Sequence, residues 1–155
     1  MKKERYQSKV AVFLILFREK DGQKEILLQK RVNTGYLDNM YEASCSGHLE
    51  KNETLAHATI REAKEEIGID VKEEDLKFVA LIHPYQDDYL NVFFEAIKYE
   101  GIPEIKEPDK CGDLRWFKID ELPENTIIRT RNVLENIKRN ILYDDGYFSN
   151  QKRIN

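Results

Sequence analysis

The sequence predicts one α/β domain in which a mixed β-sheet is covered by helices on both faces. Three observations support this fold class. Apolar, β-branched runs of strand length recur along the chain, two segments of helix length interrupt them, and no linker, repeat or low-complexity tract divides residues 1–155. Strands that precede, separate and follow two helices are typical of such layered folds. A chain of this length is also long enough to bury a substantial core.

Six β-strands are predicted from the apolar runs and the turn residues between them. The Asp21-Gly22 pair is expected to join the first two strands as a hairpin. Two polar segments, 32–40 and 100–113, are expected to be loops. The six predicted strands cover residues 10–18, 25–31, 41–47, 76–83, 90–99 and 114–119.

Two helices are predicted, over residues 54–67 and about 127–142. Asn52 or Thr54 is expected to cap the first helix at its start, and Gly68 to end it. The polar tail that follows the second helix is expected to be loosely held.

Composition excludes several classes of protein. A net charge of −4 and an isoelectric point near 5.5 give no general attraction to nucleic-acid backbones. The longest apolar run, residues 10–17, is too short to span a membrane. The basic first residues are not followed by a signal-peptide pattern, and Cys45 and Cys111 form no metal-spaced pair or disulfide framework. We therefore expect a cytoplasmic protein with reduced thiols.

The first helix carries an unusual arrangement of charge. At about 100° per residue, Glu62, Glu65 and Glu66 share one arc of the helix. An apolar stripe lies on the adjacent arc and is formed by Ala56, Ile60, Ala63 and Ile67.

This acidic arc has two interpretations. Arg61 and Glu65 form the i,i+4 ion pair that is typical of a solvated helix surface. Glu62 and Glu66, however, form a like-charge i,i+4 pair that costs a few tenths of a kcal/mol, roughly, in the free protein. Divalent cations such as Mg²⁺ or Mn²⁺ would reverse that cost, because carboxylate oxygens are their preferred ligands. The helix geometry alone leaves both interpretations open.

The spacing of residues across 47–69 resembles the signature of the Nudix hydrolase family, including its MutT-like members. The matching positions are Gly47, Glu53, Arg61, Glu62, Ala63, Glu65, Glu66, Gly68 and Ile69. Only Ala63 departs from the pattern, being smaller than the usual aliphatic residue. The resemblance implies a Nudix-type α/β/α sandwich that hydrolyses a nucleoside diphosphate linked to another group, X, with Mg²⁺ or Mn²⁺ as cofactor.

The resemblance also implies roles for individual residues. Glu62, Glu65 and Glu66 would be the main metal ligands, with Gly47 beside them where the backbone must approach closely. Glu53 would support the metal site, and Arg61 would orient Glu53 and its neighbours. With Glu62, Glu65, Glu53 and Arg61 as catalytic residues, the general base is either Glu62 or a loop acid, Glu107 or Asp109.

The substrate is less well defined by the sequence. Lys30 or Arg31 is a candidate for a phosphate contact and Tyr36 for stacking on a base, while Trp116 is expected to be structural. Pro84 and Tyr85 match markers of two different groups of relatives, those that cleave ADP-ribose and those that cleave diadenosine polyphosphates. The two residues are adjacent, so they cannot both be diagnostic, and a turn at residues 83–85 would explain them without a ligand.

By size, the chain resembles the members that hydrolyse (deoxy)nucleoside triphosphates, and no pattern for CoA or NADH cleavage is present. The alternative is a non-catalytic Nudix-fold module that binds a nucleotide. The resemblance further implies a small-molecule nucleotide partner and a homodimer, without stable binding to nucleic acid or membranes.

Overall fold

The computed structural model describes residues 3–84 and 87–145. Within them, nine strands and two α-helices form the fold, together with a single 3₁₀ turn at Glu73–Asp75. In chain order the elements are β1 (Lys9–Ile15), β2 (Phe17–Lys20), β3 (Gln23–Arg31), β4 (Tyr41–Ala43), β5 (Cys45–His48), α1 (Leu55–Ile67), β6 (Leu76–Ile82), β7 (Tyr89–Ala96), β8 (Cys111–Lys118), α2 (Ile128–Lys138) and β9 (Tyr143–Asp144).

The strands form two sheets. The first is mixed and five-stranded, with the order β5-β1-β7-β6-β9, and its β1–β7 and β6–β9 pairs are parallel. The second is antiparallel and four-stranded, and β3 pairs in it with β2, β4 and β8. β4 and β5 are adjacent in the chain but belong to different sheets, so this part of the chain links the two sheets next to α1.

Helices cover both faces of the mixed sheet, as the sequence predicts. Alternate residues of β1 point to opposite faces. Phe13 and Ile15 belong to a buried cluster that includes Val133 and Leu134 of α2. Leu14 belongs to a second buried cluster that includes Ala63 and Ile67 of α1. The α/β/α sandwich is therefore confirmed.

The predicted hairpin is confirmed, but its first strand is divided. Asp21 and Gly22 both have positive φ, as the tight turn between β2 and β3 requires. The predicted strand 10–18 breaks at Leu16, where the chain passes from the mixed sheet to the antiparallel one. Leu16 is fully buried, and its carbonyl accepts a hydrogen bond from the Leu27 amide. Because residues 10–17 are continuously apolar, no polar residue marks the break.

The predicted strand 41–47 is also two strands, separated by Ser44. This residue is completely buried, and its hydroxyl donates a 2.8 Å hydrogen bond to the Leu14 carbonyl. The side chain thus ties the junction between β4 and β5 to β1.

The predicted ends of α1 are confirmed by the structure. The Thr54 hydroxyl accepts a hydrogen bond from the His57 amide, and Gly68 ends the helix at φ 72°. α2 is shorter than predicted, because Asn140 adopts a positive φ of 55° and the Ile141 amide bonds back to the Asn136 carbonyl.

Two smaller differences concern the end of the chain. β8 begins three residues before the predicted strand, inside the predicted loop 100–113. The short strand β9 was not predicted, and most of the expected tail, residues 146–155, lies outside the described residues. No helix in the described ranges is both long and apolar enough to cross a bilayer.

Candidate active site

The strand β5, the loop after it and the second half of α1 bring the signature residues together, beginning with Gly47 and Glu62. Gly47 lies on β5, directly opposite Val12 of β1. A Cβ atom placed on Gly47 would lie only 1.9 Å from Oε1 of Glu62. Any side chain at residue 47 would therefore displace the Glu62 carboxylate, and glycine is required by this close approach rather than by a positive φ.

Arg61 connects the other members of the signature. Its Nε donates to Oε1 of Glu53 at 2.6 Å, and its Nη2 donates to Oε2 of the same carboxylate at 3.1 Å. Its Nη1 donates to Glu62 at 2.6 Å and to Glu65 at 3.2 Å, while Nη2 also reaches the His48 carbonyl at 3.2 Å. One guanidinium group thus holds three carboxylates and the end of β5 in a fixed relation.

Glu66 points into the protein and lies close to β5. Its Oε2 accepts a 2.9 Å hydrogen bond from the Ser46 amide and a weaker one, 3.4 Å, from the Gln29 side chain. Burial raises the pKa of Glu66 to about 8, although the Ser46 amide acts in the opposite direction. The nearby charges of Glu62, Glu42 and Glu107 make smaller contributions to the same rise in pKa.

The other two acids of the helix differ in burial. Burial also raises the pKa of Glu62, and the contact with Arg61 offsets part of that effect. Glu65 is exposed over 56% of its side chain. Burial therefore decreases from Glu66 through Glu62 to Glu65, which lies at the solvent side of the cluster.

The donors at this site fit a hard divalent cation in chemical type. Glu62, Glu65 and Glu66 supply carboxylates, and the main chain of Gly47 lies beside Glu62 with no side chain to block access. In residues 3–84 and 87–145, no three His, Cys, Asp or Glu side chains are close enough together to form a metal site in the present arrangement. Arg61 contacts Glu62 and Glu65, while Glu66 is turned towards Ser46.

A cleft of about 400 Å³ opens beside the acidic helix. The cleft is lined by acidic residues, Glu42 and Glu66, and by basic residues, Arg31 and Lys110. The remaining lining residues are Gln29, Asn33, Thr34, Ser46, Gly47 and His48. Acidic and basic groups facing one space can hold a cation and an anion together, as a metal-bound phosphate ester would require.

The two predicted substrate contacts differ in position. Arg31 lines the cleft, but it is also tied to the protein: its Nε donates to the Tyr36 carbonyl at 2.8 Å and its Nη2 to the Thr34 hydroxyl at 3.0 Å. The Tyr36 ring is exposed and is not among the residues that line the cleft. It lies 5.7 Å from the Arg31 guanidinium, at the edge of the range for a cation–π contact.

The remaining candidates fall near the site or away from it. Glu107 is close enough for its charge to raise the pKa of Glu66, and it pairs with Lys110 at 3.1 Å. The main-chain carbonyl of Asp109, rather than its side chain, accepts a 3.1 Å hydrogen bond from the Asn33 side chain. Trp116 packs against the buried cluster on the α1 side, with the Arg18 guanidinium 4.4 Å above its ring. Of the two conflicting markers, Tyr85 lies outside the described residues.

Sequence reasoning missed Glu42, which lines the cleft with only 1% of its surface exposed. It contacts Arg31, eleven positions away, and Arg129, eighty-seven positions away. A single acid within "YEASCSG" has no periodic pattern that would reveal such partners. The only local signal was a charged residue in a short strand whose other members are small, apolar or aromatic.

Comparison with known proteins identifies the family. A family model described as the NUDIX domain matches residues 7–137. The NAD-capped RNA hydrolase NudC of Pectobacterium carotovorum is 31% identical over 123 residues, which are 79% of this chain and 44% of that protein. The isopentenyl-diphosphate Delta-isomerase of Aliivibrio fischeri is 41% identical over 118 residues, 70% of this chain and 64% of the isomerase. The chain thus spans less than half the length of this NudC relative.

Solved structures show the same fold. A MutT NUDIX hydrolase from Burkholderia pseudomallei superposes with a TM-score of 0.72 at 26% identity, covering 83% of this chain and 97% of that one. The NUDIX domain of Shewanella oneidensis NrtR, solved with ADP ribose, gives a TM-score of 0.68 at 16% identity, covering 88% and 89%. The protein therefore belongs to the Nudix hydrolase family, which the residues between Gly47 and Ile69 had indicated.

Proposed function

We propose that this protein hydrolyses a pyrophosphate linkage in a nucleoside diphosphate joined to X, with (deoxy)nucleoside triphosphates as the first substrates to test. One observation carries the proposal. The Glu62 carboxylate lies against Gly47 and is joined through Arg61 to Glu53, and this network lies beside a cleft lined by Arg31 and Lys110. The site thus combines buried acids with cations that suit a charged diphosphate.

The acids of α1 suit a divalent cation, which Nudix hydrolases generally use, and Mg²⁺ is the first choice with Mn²⁺ as the alternative. Glu62, Glu65 and Glu66 would hold it, together with the main chain of Gly47. When bound, the cation supplies Lewis acidity, because it draws charge from the phosphoryl oxygens.

The chain's own residues have distinct parts in this proposal. Arg61 keeps Glu53 and Glu62 oriented through bonds of 2.6 Å to each. Glu62 accepts the proton of the attacking water, since its carboxylate lies against Gly47, which lines the cleft. Glu107 is the competing acceptor; it pairs with Lys110, which also lines the cleft.

The substrate contacts are proposed from the lining of the cleft. Arg31 binds a phosphate oxygen, because its guanidinium lines the cleft and still has N–H groups beyond those used by the protein. Tyr36 follows in the same loop, and its exposed ring is available to stack on a base.

The relatives suggest two further reactions. NudC relatives act on NAD-capped RNA by name, which places dinucleotides among the substrates to test despite the absence of a recognisable NADH pattern in the sequence. The 41% identity to an isopentenyl-diphosphate Delta-isomerase favours a second candidate, isomerisation of isopentenyl diphosphate. A non-catalytic nucleotide-binding module is the remaining alternative, for which the NrtR domain solved with ADP ribose is a fold-level parallel.

A single panel assay separates these functions. The protein is incubated with Mg²⁺ and with nucleoside triphosphates, dinucleoside polyphosphates, ADP ribose, NAD and isopentenyl diphosphate, and products are separated by chromatography, with EDTA as the control. Release of a nucleoside monophosphate that EDTA abolishes supports the hydrolase. Formation of an isomer without phosphate release supports the isomerase, and no product from any compound favours the binding module.

Three broader expectations remain proposals. Residues 1–155 form one Nudix domain, the protein is cytoplasmic, and it forms a homodimer. Light scattering of the purified protein measures the last of these directly, because a monomer has a mass of 18.4 kDa.

A further inference from the structure

Glu42 is a fully buried acid at the cleft that the proposed reaction does not use. Only 1% of the surface of Glu42 is exposed, and glutamate is rarely buried to this extent unless it is paired. The carboxylate lies on β4, at the link between the two sheets, and it contributes to the lining of the cleft. A buried charge that is retained at such a position calls for a physical account.

The contacts of Glu42 join three parts of the fold. Its Oε1 accepts hydrogen bonds from Arg31 Nη1 at 2.6 Å and from the Ser46 hydroxyl at 3.3 Å. Its Oε2 accepts a longer bond, 3.5 Å, from Arg129 Nη2. The carboxylate therefore connects the end of β3, the strand β5 and the first turn of α2. Both arginine side chains are 19% exposed, so neither extends freely into solvent.

The charges in this cluster do not balance. One carboxylate lies between two guanidinium groups, which leaves a net positive charge beside the cleft. Arg129 also packs over the Phe13 ring at 4.7 Å, and its side chain is 19% exposed.

Ser46 places this positive cluster directly beside the acids of α1. Its hydroxyl donates to Glu42, while its amide donates to Glu66 at 2.9 Å. The cleft thus has an acidic side that suits a cation and a basic side that suits an anion, separated by one residue of β5.

We propose that Glu42 is a positioning residue that holds the guanidinium group of Arg31, which lines the cleft, in place to bind the oxygens of a diphosphate, with Arg129 as the second partner of the buried carboxylate. The inference rests on the proposed function, because a diphosphate is the group common to its substrates. Without Glu42, Arg31 loses its 2.6 Å carboxylate partner and faces the like charge of Arg129, so its side chain must be ordered when the ligand binds. Prior ordering of charged side chains increases affinity by removing that cost.

A purely structural role for Glu42 makes a different prediction. If the cluster only joined β3, β5 and α2, its loss would lower the midpoint of unfolding and leave the affinity of the folded protein for an anion unchanged. Glu25 supplies a matched control: it also lies on the antiparallel sheet, also pairs with an arginine, Arg18, at 2.6 Å, and is not part of the cleft.

The test measures binding of inorganic pyrophosphate in Mg²⁺ by isothermal titration calorimetry, with circular dichroism to verify folding. We expect Glu42→Gln to raise the Kd about tenfold, equivalent to about 1.4 kcal/mol, and Glu25→Gln to leave it unchanged. Glu42→Asp keeps the buried charge but moves the carboxylate away from the arginines by one methylene group. It serves as the test variant if Glu42→Gln does not fold, and we expect it to raise the Kd for pyrophosphate about threefold. On a substrate that is turned over, Glu42→Gln should raise KM and leave kcat within about twofold of the wild type.

Three results would overturn the inference: no binding of pyrophosphate by the wild-type protein, unchanged affinity in the folded Glu42 variants, or an equal loss in Glu25→Gln. These results are independent of the substrate panel. A protein that binds pyrophosphate through Glu42 without turning over any compound would retain the inference and lose the proposed hydrolase. If the wild-type protein turns over a substrate but the Glu42 variants bind pyrophosphate with unchanged affinity, the proposed hydrolase is retained and the inference about Glu42 is lost.

Discussion

At the scale of single residues, the acid cluster depends on how close the backbone of Gly47 comes to Glu62. The glutamate carboxylate occupies the space in which a Cβ atom would lie, so β5 and α1 are in contact at this point. The atoms that a new side chain would displace are at the end of a flexible side chain. Substitution at Gly47 should therefore move the carboxylate while leaving the fold intact.

Gly47→Ala tests this separation of stability from activity. We expect kcat/KM to fall by about a hundredfold, because a displacement of about 1 Å in a catalytic group costs that much. Urea unfolding should show a loss of less than about 1 kcal/mol. Gly112→Ala is the matched control, since its Cβ would lie 2.7 Å from Val32 Cγ1 and the atoms nearest to it all belong to Val32 rather than to a carboxylate. Equal losses of activity in both variants would argue against a specific role for Gly47.

Glu66 gives the metal-free protein a predictable dependence on pH. Its pKa rises from the ordinary value of 4.5 to about 8, chiefly through burial, so the native state keeps a proton that the unfolded chain releases. The stabilising contribution is complete below pH 4.5 and is lost as the pH rises through 8. In EDTA, we expect the free energy of unfolding from urea titrations to be larger at pH 5.5 than at pH 8.5. Glu66→Gln should reduce that difference, and an unchanged difference would contradict this assignment.

At the scale of secondary-structure elements, the ends of α1 were predicted well because their signals, Thr54 and Gly68, are local. The apolar stripe was only partly right: Ala63 and Ile67 are buried, but Ala56 and Ile60 are half-buried, and Ala58 and Thr59 are buried because the sheet also covers part of the acidic arc. The breaks at Leu16 and Ser44 depend instead on hydrogen bonds to Leu27 and Leu14, which are distant in the chain. A continuous apolar run therefore predicts the presence of a strand but not the point where it changes sheets.

The cap of α1 should affect stability and not turnover. Thr54→Ala removes the hydrogen bond from the His57 amide, which is 3.1 Å long. We expect the urea midpoint to fall by an amount equivalent to about 1 kcal/mol, with kcat unchanged at temperatures where the protein remains folded. Thr54→Ser, which keeps the hydroxyl, should restore most of the stability. Reduced turnover in a fully folded Thr54→Ala would show that the cap also influences the acids.

At the scale of the whole molecule, the sequence predicted the sandwich, which is confirmed, and it predicted that the acids of α1 lie together, while their roles stay predictions. Glu62, Glu65 and Glu66 share one helix, so their common face follows from helical geometry. Arg31, which lines the cleft, was expected, whereas its buried partner Glu42 and the second arginine that contacts Glu42, Arg129, were missed. These two residues lie on different elements and meet only after both sheets and α2 have packed.

The central claim is that the acids of α1 carry out hydrolysis of a pyrophosphate linkage, and kcat measured for Glu62→Gln tests it most directly. On a substrate found in the panel, with saturating Mg²⁺, we expect kcat to fall by at least about a hundredfold, as is usual when a general base is removed. Glu65→Gln should also lose turnover. The exposed residue Glu74 supplies the control Glu74→Gln, which should retain full activity. Turnover near that of the wild type in folded Glu62→Gln and Glu65→Gln would contradict the account.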